Sequence, residues 1–371
     1  MNKKKTKLQL AQEQAEKAIK ATNRKIGELG ELTGQLYEEL NSIQQLFDAI
    51  RNAPNEKWPG YERLRETRLG WKQQAEKIES DYRKAVVKKG EKGIIAAGAG
   101  AAVVALGPSV AMGIATTFGV ASTGTAISAL SGAAATNAAL AWLGGGALAV
   151  GGGGMAAGNA LLALAGPVGW AIAGVALAGS GFLLWKEKND KVRLEDIFTL
   201  ISKRDVKSYE LAVIEINQRI SRIKDESHKL AAAIERVKSF GLNYRRMTKA
   251  QQYELGSYVN LMHASTQLLV NPIMGLQPKY SECDLDNYLG SCRKKPDERK
   301  NQLIISLANL LYKIDMDDRD KRLLWKSFKG NKEFLSAVKM TKDEFEFSIM
   351  ETVSDALKYK YAHSGVNSRK A

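Results

Sequence analysis

The sequence predicts an all-α protein. The expected architecture is a long antiparallel coiled-coil helical bundle with a central Gly/Ala-rich hydrophobic transmembrane hairpin and a small C-terminal helical region. Three observations carry this expectation. Apolar residues recur at alternating spacings of three and four over two long, heavily charged stretches. Between those stretches, residues 93–185 contain no Lys, Arg, Asp, Glu or His and hold 21 of the chain's 33 glycines. Beyond residue 246 the helical pattern shortens and is punctuated by proline and glycine. The chain divides accordingly into 1–92, 93–185, 186–245 and 246–362, with a tail, 363–371, expected to be disordered.

In the first stretch Ile26, Leu29, Thr33, Leu36, Leu40, Ile43, Phe47 and Ile50 form one seam. The segment "NAPNEKWPG", residues 52–60, breaks that helix with two prolines and a glycine. Leu64, Trp71, Ala75, Ile78, Tyr82 and Ala85 then carry a second seam towards the uncharged run. After the run, Tyr209, Val213, Ile216, Ile220, Ile223, Ser227, Leu230, Ile234 and Val237 resume the alternation. Leu36, Leu40, Ile43, Ile216, Ile220 and Ile223 are therefore expected in the bundle core, and most of the flanking charge on solvated outer faces.

The run itself is concentrated in "AWLGGGALAVGGGGMAAG", residues 141–158, with eight glycines and no charge. A flexible linker would not carry Ile94, Ile95, Val103, Val104, Leu161, Leu162 and Phe182. Gly144, Gly146 and Ala149 match a dinucleotide fingerprint only formally, since no acid follows until Glu187 and no Gly-Lys-Ser/Thr occurs. What remains is a bilayer segment or a large buried hairpin. A spanning helix needs about 20 apolar residues, so this length allows two long or four short crossings. Residues 94–114 and 160–185 are the more apolar parts, whereas 115–159 are mostly small residues that insert poorly alone. Small residues let helix backbones approach closely. Spacings of four run through Ala111, Ala115, Gly119 and Thr123, and through Gly124, Ser128, Gly132 and Thr136, while Gly154 and Gly158 form a literal GxxxG. Gly107-Pro108 and Gly166-Pro167 are expected turn or kink points. Trp170 and Trp185 are spaced to reach opposite interfaces, about 22 Å apart along a helix. Lys88, Lys89 and Lys92 before the run and Lys186 after it form a basic collar. Positive flanks place both termini on the cytoplasmic side, in a multi-pass inner-membrane protein or one that is soluble before insertion.

The remainder carries no catalytic signature. Thr248 and Gln251 have capping-box spacing, residues 271–300 are expected to be loop-like, and Leu303 to Ile349 should form short helices broken near 329–331. Cys283 and Cys292 are spaced neither as a redox motif nor as a zinc set. Asp315, Asp317, Asp318 and Asp320 lack the glycine and terminal glutamate of an EF-hand and fit an acidic helix start better. No cofactor, metal or catalytic residue is assigned, and an enzyme is not expected. The net charge of +15 is distributed over both flanks, so no nucleic-acid partner is expected. The N-terminus has basic residues but no apolar core of a secretory signal.

The block "FGVASTGTAISALSGAAATNAALAWLGGGALAVGGGGMAAG" resembles that of bacterial glycine-zipper membrane-associated proteins. In architecture, long helices flanking a Gly/Ala-rich hydrophobic hairpin are similar to the α-helical pore-forming toxins of the haemolysin E and tripartite enterotoxin type. Those resemblances imply a lipid bilayer as partner, homo-oligomerisation, and a hydrophobic segment that folds against the bundle before insertion. The leading expectation is thus an intracellular protein that permeabilises or remodels its own cell's membrane, with growth arrest against phage as a fitting context. The C-terminal helices would take a protein partner. The alternatives are a constitutive multi-pass scaffold with a cytoplasmic coiled coil, and a pore-forming toxin secreted without a signal.

Overall fold

The described residues fold as α-helices, joined by turns and two short 3-10 segments. The computed structural model describes residues 6–53, 60–90, 108–118, 188–292, 297, 300–330, 335 and 340–363. Helix α1 (Lys7–Ala49) opens on a capping box in which Thr6 Oγ1 accepts from Gln9 N at 3.2 Å and Thr6 N donates back to Gln9 Oε1 at 2.9 Å. It stops at Ile50, and Asn52 follows in the left-handed region at φ 62°. Helix α2 (Tyr61–Gly90) begins after Gly60, at φ 85°, a conformation that glycine adopts without Cβ strain. Helix α3 (Pro108–Phe118) is the described part of the uncharged run, and α4 (Lys188–Lys238) is the longest element. Helix α5 (Lys249–Val270) starts at the expected capping box, with both Thr248–Gln251 hydrogen bonds present.

Helices α1 and α4 run in the same direction, and it is α2 that returns antiparallel to α1, with Tyr61 at its start bonded to Gln44 O and Asp48 near the end of α1. The end of α1 meets the end of α4, where Arg51 N donates to Leu242 O at 2.9 Å and Tyr244 N donates to Arg51 O at 3.0 Å. At the other end, Leu8 shares a cluster with Leu194 and Ile197 of α4. The expected seam residues Leu36, Leu40, Ile43, Ile216, Ile220 and Ile223 are all buried in the core between the helices. Burying each such side chain stabilises the fold by about 1.5–3 kcal/mol.

Two apolar clusters divide the molecule. The first gathers α1, α2, α3, the second half of α4, and α5. The second gathers the start of α4 with α6 (Glu282–Ser291), α7 (Asn301–Leu311), α8 (Asp318–Gly330) and α9 (Phe347–His363). Residues 249–276, grouped by their sequence pattern with the C-terminal helices, supply Leu255, Met262, Leu269 and Leu276 to the first cluster. The expectation of loop throughout 271–300 is overturned by α6. Its start is a capping box, Ser281 with Asp284, which outweighs the surrounding glycines and prolines.

The acidic motif also finds its role. Asp317 and Asp320 cap the start of α8 reciprocally, with Asp320 N donating to Asp317 Oδ1 at 2.8 Å. Both carboxylates also bind Arg193 of α4, and Arg319 reaches Asp190 at 2.6 Å. Among the described residues no acid, His or Cys cluster is arranged to hold a metal.

A buried acid marks the boundary between the clusters. Arg204 donates to the carbonyls of Leu310 and Tyr312 at the end of α7, and grips one oxygen of Asp205 at 2.7 and 2.9 Å. The other oxygen, Asp205 Oδ2, and Tyr209 Oη are buried without a hydrogen-bond partner among the described residues. Burial pushes the Asp205 carboxyl up to about 6, against the opposing pull of Arg204. The folded state therefore binds this proton more tightly than the unfolded chain. Its contribution is fully present below about pH 4 and is lost as pH rises through 6, about 3 kcal/mol in all. We expect urea midpoints to fall over that interval, and Asp205→Asn to flatten this part of the profile. An unchanged slope in the variant would show that another group titrates there.

Candidate functional site

Helix α3 is the part of the uncharged run that lies among the described residues, so its seat is the place to look for function. Proline at the first helical position loses no hydrogen bond, because that N–H has no intrahelical acceptor. Eleven residues span about 16 Å, far short of a bilayer. Among the described residues no helix is long and apolar enough to cross a membrane. Instead α3 packs into the first cluster, against α1, α2 and α5. Ala111, Ile114, Ala115, Thr116 and Thr117 are each at most 1% exposed.

The contact with α1 is a backbone crossing built on glycine. A Cβ added at Gly30 would lie 1.7 Å from Ser109 O, and one at Gly113 would lie 2.1 Å from Ile26 O. Neither position has room for a methyl group without separating the two helices. Gly34 continues the same face of α1, and a Cβ added there would lie 3.0 Å from Met112 Sδ. The crossing thus sets Gly30 and Gly34 against Ser109 and Gly113, each pair spaced by four.

Hydrogen bonds hold the rest of the seat. Trp71 Nε1 of α2 donates to Thr116 Oγ1 at 3.1 Å, with Tyr37 packed on the indole at 5.5 Å between ring centroids. Thr117 Oγ1 back-bonds to Gly113 O at 2.7 Å. The carbonyl of Thr117, one of those a helix end leaves without a partner, accepts from Ile273 N at 2.8 Å and Gln277 Nε2 at 3.1 Å. Nearby, Arg68 is 2% exposed and donates to Gln44 Oε1 and to Thr266 Oγ1. Its Nε has no hydrogen-bond partner among the described residues, and burial lowers its pKa. The seat is therefore polar on the α2 and α5 side and glycine-tight on the α1 side. Such contacts give a definite docking geometry, and each hydrogen bond is of a kind that water can also make.

Of the proposed packing residues, Ala111 and Ala115 lie in this bundle core. Gly119, Gly124, Ser128, Gly132, Gly154 and Gly158 lie outside the described residues, as do Lys92, Trp170, Trp185, Lys186 and the tail beyond His363. Lys88 and Lys89 stand on the last turn of α2. Gly30, Gly34, Gly113, Trp71 and Thr116 did not emerge from the sequence as a unit. The available signal was Gly30-Glu-Leu-Thr-Gly34 inside a helix, where each glycine costs about 1 kcal/mol relative to alanine.

Fold and seat together define an all-α helical-bundle protein that encloses the helix beginning at Pro108. Comparison with protein-family models, curated proteins and solved structures finds no match.

Proposed function

We propose that this chain is a membrane-inserting helical protein. Its Gly/Ala-rich run leaves the bundle, oligomerises, and permeabilises or remodels the membrane of its own cell. The observation that carries the proposal is the seating of α3. A helix belonging to a 93-residue charge-free run is held by a glycine crossing and replaceable hydrogen bonds, with Ala111, Ile114 and Ala115 as its apolar contribution to the first core. In this scheme α1 and α4 act as a coiled-coil stalk, and the small residues at 119–158 pack helices against one another in the bilayer. The C-terminal helices grip the first turns of α4, where the run ends, through Arg193 and Asp190. That contact suits a regulatory module and a protein partner.

Dye-filled liposomes test the proposal. The full chain is expected to cause leakage and to remain with the vesicles through carbonate extraction. Gly132→Leu and Gly158→Leu raise hydrophobicity but obstruct close packing, so they should stay in the membrane and lose leakage. A full chain that remains monomeric and ignores liposomes would overturn the proposal. Equal leakage from wild type and both leucine variants would remove the glycine-packed assembly.

A further inference from the structure

We infer that the corner of the bundle where α1 ends and α5 begins docks on an anionic lipid surface. The inference rests on this corner alone and does not require insertion of the uncharged run. Arg51, Arg245, Arg246 and Lys249 are exposed there, and no ion pair engages them among the described residues. The neighbouring Lys238 and Arg236 differ in being paired, with Glu235 and Glu254. Against the four cations stand Asp48, which accepts from Tyr61 Oη at 2.8 Å, and Glu62 in the first turn of α2.

Two apolar side chains accompany this charge. Leu242 is 47% exposed and Tyr253 is 81% exposed. The segment that presents them is well tied. The Arg51 backbone pairs with Leu242 and Tyr244, and Asn52 Nδ2 donates to Asn243 Oδ1 at 3.3 Å. Tyr244 and Met247 are buried, and Gln252 Nε2 bonds both of their carbonyls. Exposure of Leu242 and Tyr253 is thus imposed by a hydrogen-bonded frame.

Exposed cations beside a leucine and a tyrosine match the chemistry of a headgroup region. Each cation near an anionic bilayer is worth about fivefold in partitioning, and an aromatic with a polar tip settles at the interface. An acidic polymer would use the same charges but would leave Leu242 and Tyr253 without a role. Along the helices, the corner lies about 45 Å from the end of α2 and about 75 Å from the start of α4. It is therefore distant from both described helix ends that flank the run.

A local probe tests the inference on the full chain. Ala250→Cys, with Cys283 and Cys292 replaced by serine, carries an environment-sensitive fluorophore; Glu210→Cys, exposed near the middle of α4, serves as the control. Vesicles of phosphatidylcholine with one third phosphatidylglycerol should shift the emission at 250 to the blue and leave 210 unchanged. Neutral vesicles should not, and raised salt should reverse the shift. Arg245→Glu with Arg246→Glu should raise the lipid concentration for half the shift at least tenfold, with the circular dichroism unchanged. Leu242→Ser with Tyr253→Ser should weaken the response at every salt concentration. If the chain floats with anionic vesicles while the probe at 250 stays silent, the corner assignment falls and the insertion proposal stands. Equal shifts on neutral vesicles, or a shift with polyglutamate but none with vesicles, would overturn the anionic-lipid assignment.

Discussion

Gly113→Ala and Gly30→Ala are each expected to destabilise the bundle by about 2–3 kcal/mol, although alanine is the better helix former. The added methyl meets a backbone carbonyl oxygen at 2.1 Å in one case and 1.7 Å in the other, so a side-chain rotation cannot relieve it. The helices must separate, which strains the Trp71–Thr116 hydrogen bond and the carbonyl contacts of Thr117. Thermal midpoints should drop by roughly 5 °C or more. Gly27→Ala is the internal control, because nothing lies within 4 Å of its added Cβ. That variant should gain up to about 1 kcal/mol from helix propensity. Under the function proposed here, the two destabilising variants should also leak liposomes at lower protein concentration than wild type. Unchanged melting, with α3 amides as protected as before, would show that the glycine crossing does not hold α3.

Leu40→Asp should be the most damaging single change, at several kcal/mol. The residue is 0% exposed in the first core, where a carboxylate is cut off from water and must either remain charged at high cost or take up a proton. Leu36→Asp and Ile43→Asp should behave alike. The matched control is Leu211→Asp on α4, 58% exposed, which should change stability by no more than about 0.5 kcal/mol. Circular dichroism with urea titration separates the two cases. Equal midpoints for the Leu40 and Leu211 variants would refute the packing of α1 described above.

Much of the bundle was legible because period and burial are the same physical fact seen twice. Residues spaced three and four apart face one side of a helix, and Leu36, Leu40, Ile43, Ile216, Ile220 and Ile223 are buried accordingly. Capping chemistry is equally local, so Thr248 with Gln251 announced α5. The same rule applied to Ser281 and Asp284 would have found α6, where two flanking prolines and Gly290 suggested loop. The acidic motif at 315–320 read correctly as a helix start, but its partner Arg193 lies more than 120 residues away and leaves no local trace.

By itself the sequence determined the long helices of the two charged flanks, which of their faces are apolar, and that 93 consecutive residues carry no charge, since each follows from residue type and spacing along one chain. Only the tertiary structure decided that the stretch beginning at Pro108 is stored against Gly30, that α5 belongs to the first core, and that Asp205 stands buried at the boundary between two clusters. Those depend on which helix lies beside which. Spacing of small residues permits a close crossing on many tracks. The partner backbone selects one, and here it chose Gly113 beside the Ala111 and Ala115 track that the spacing favoured.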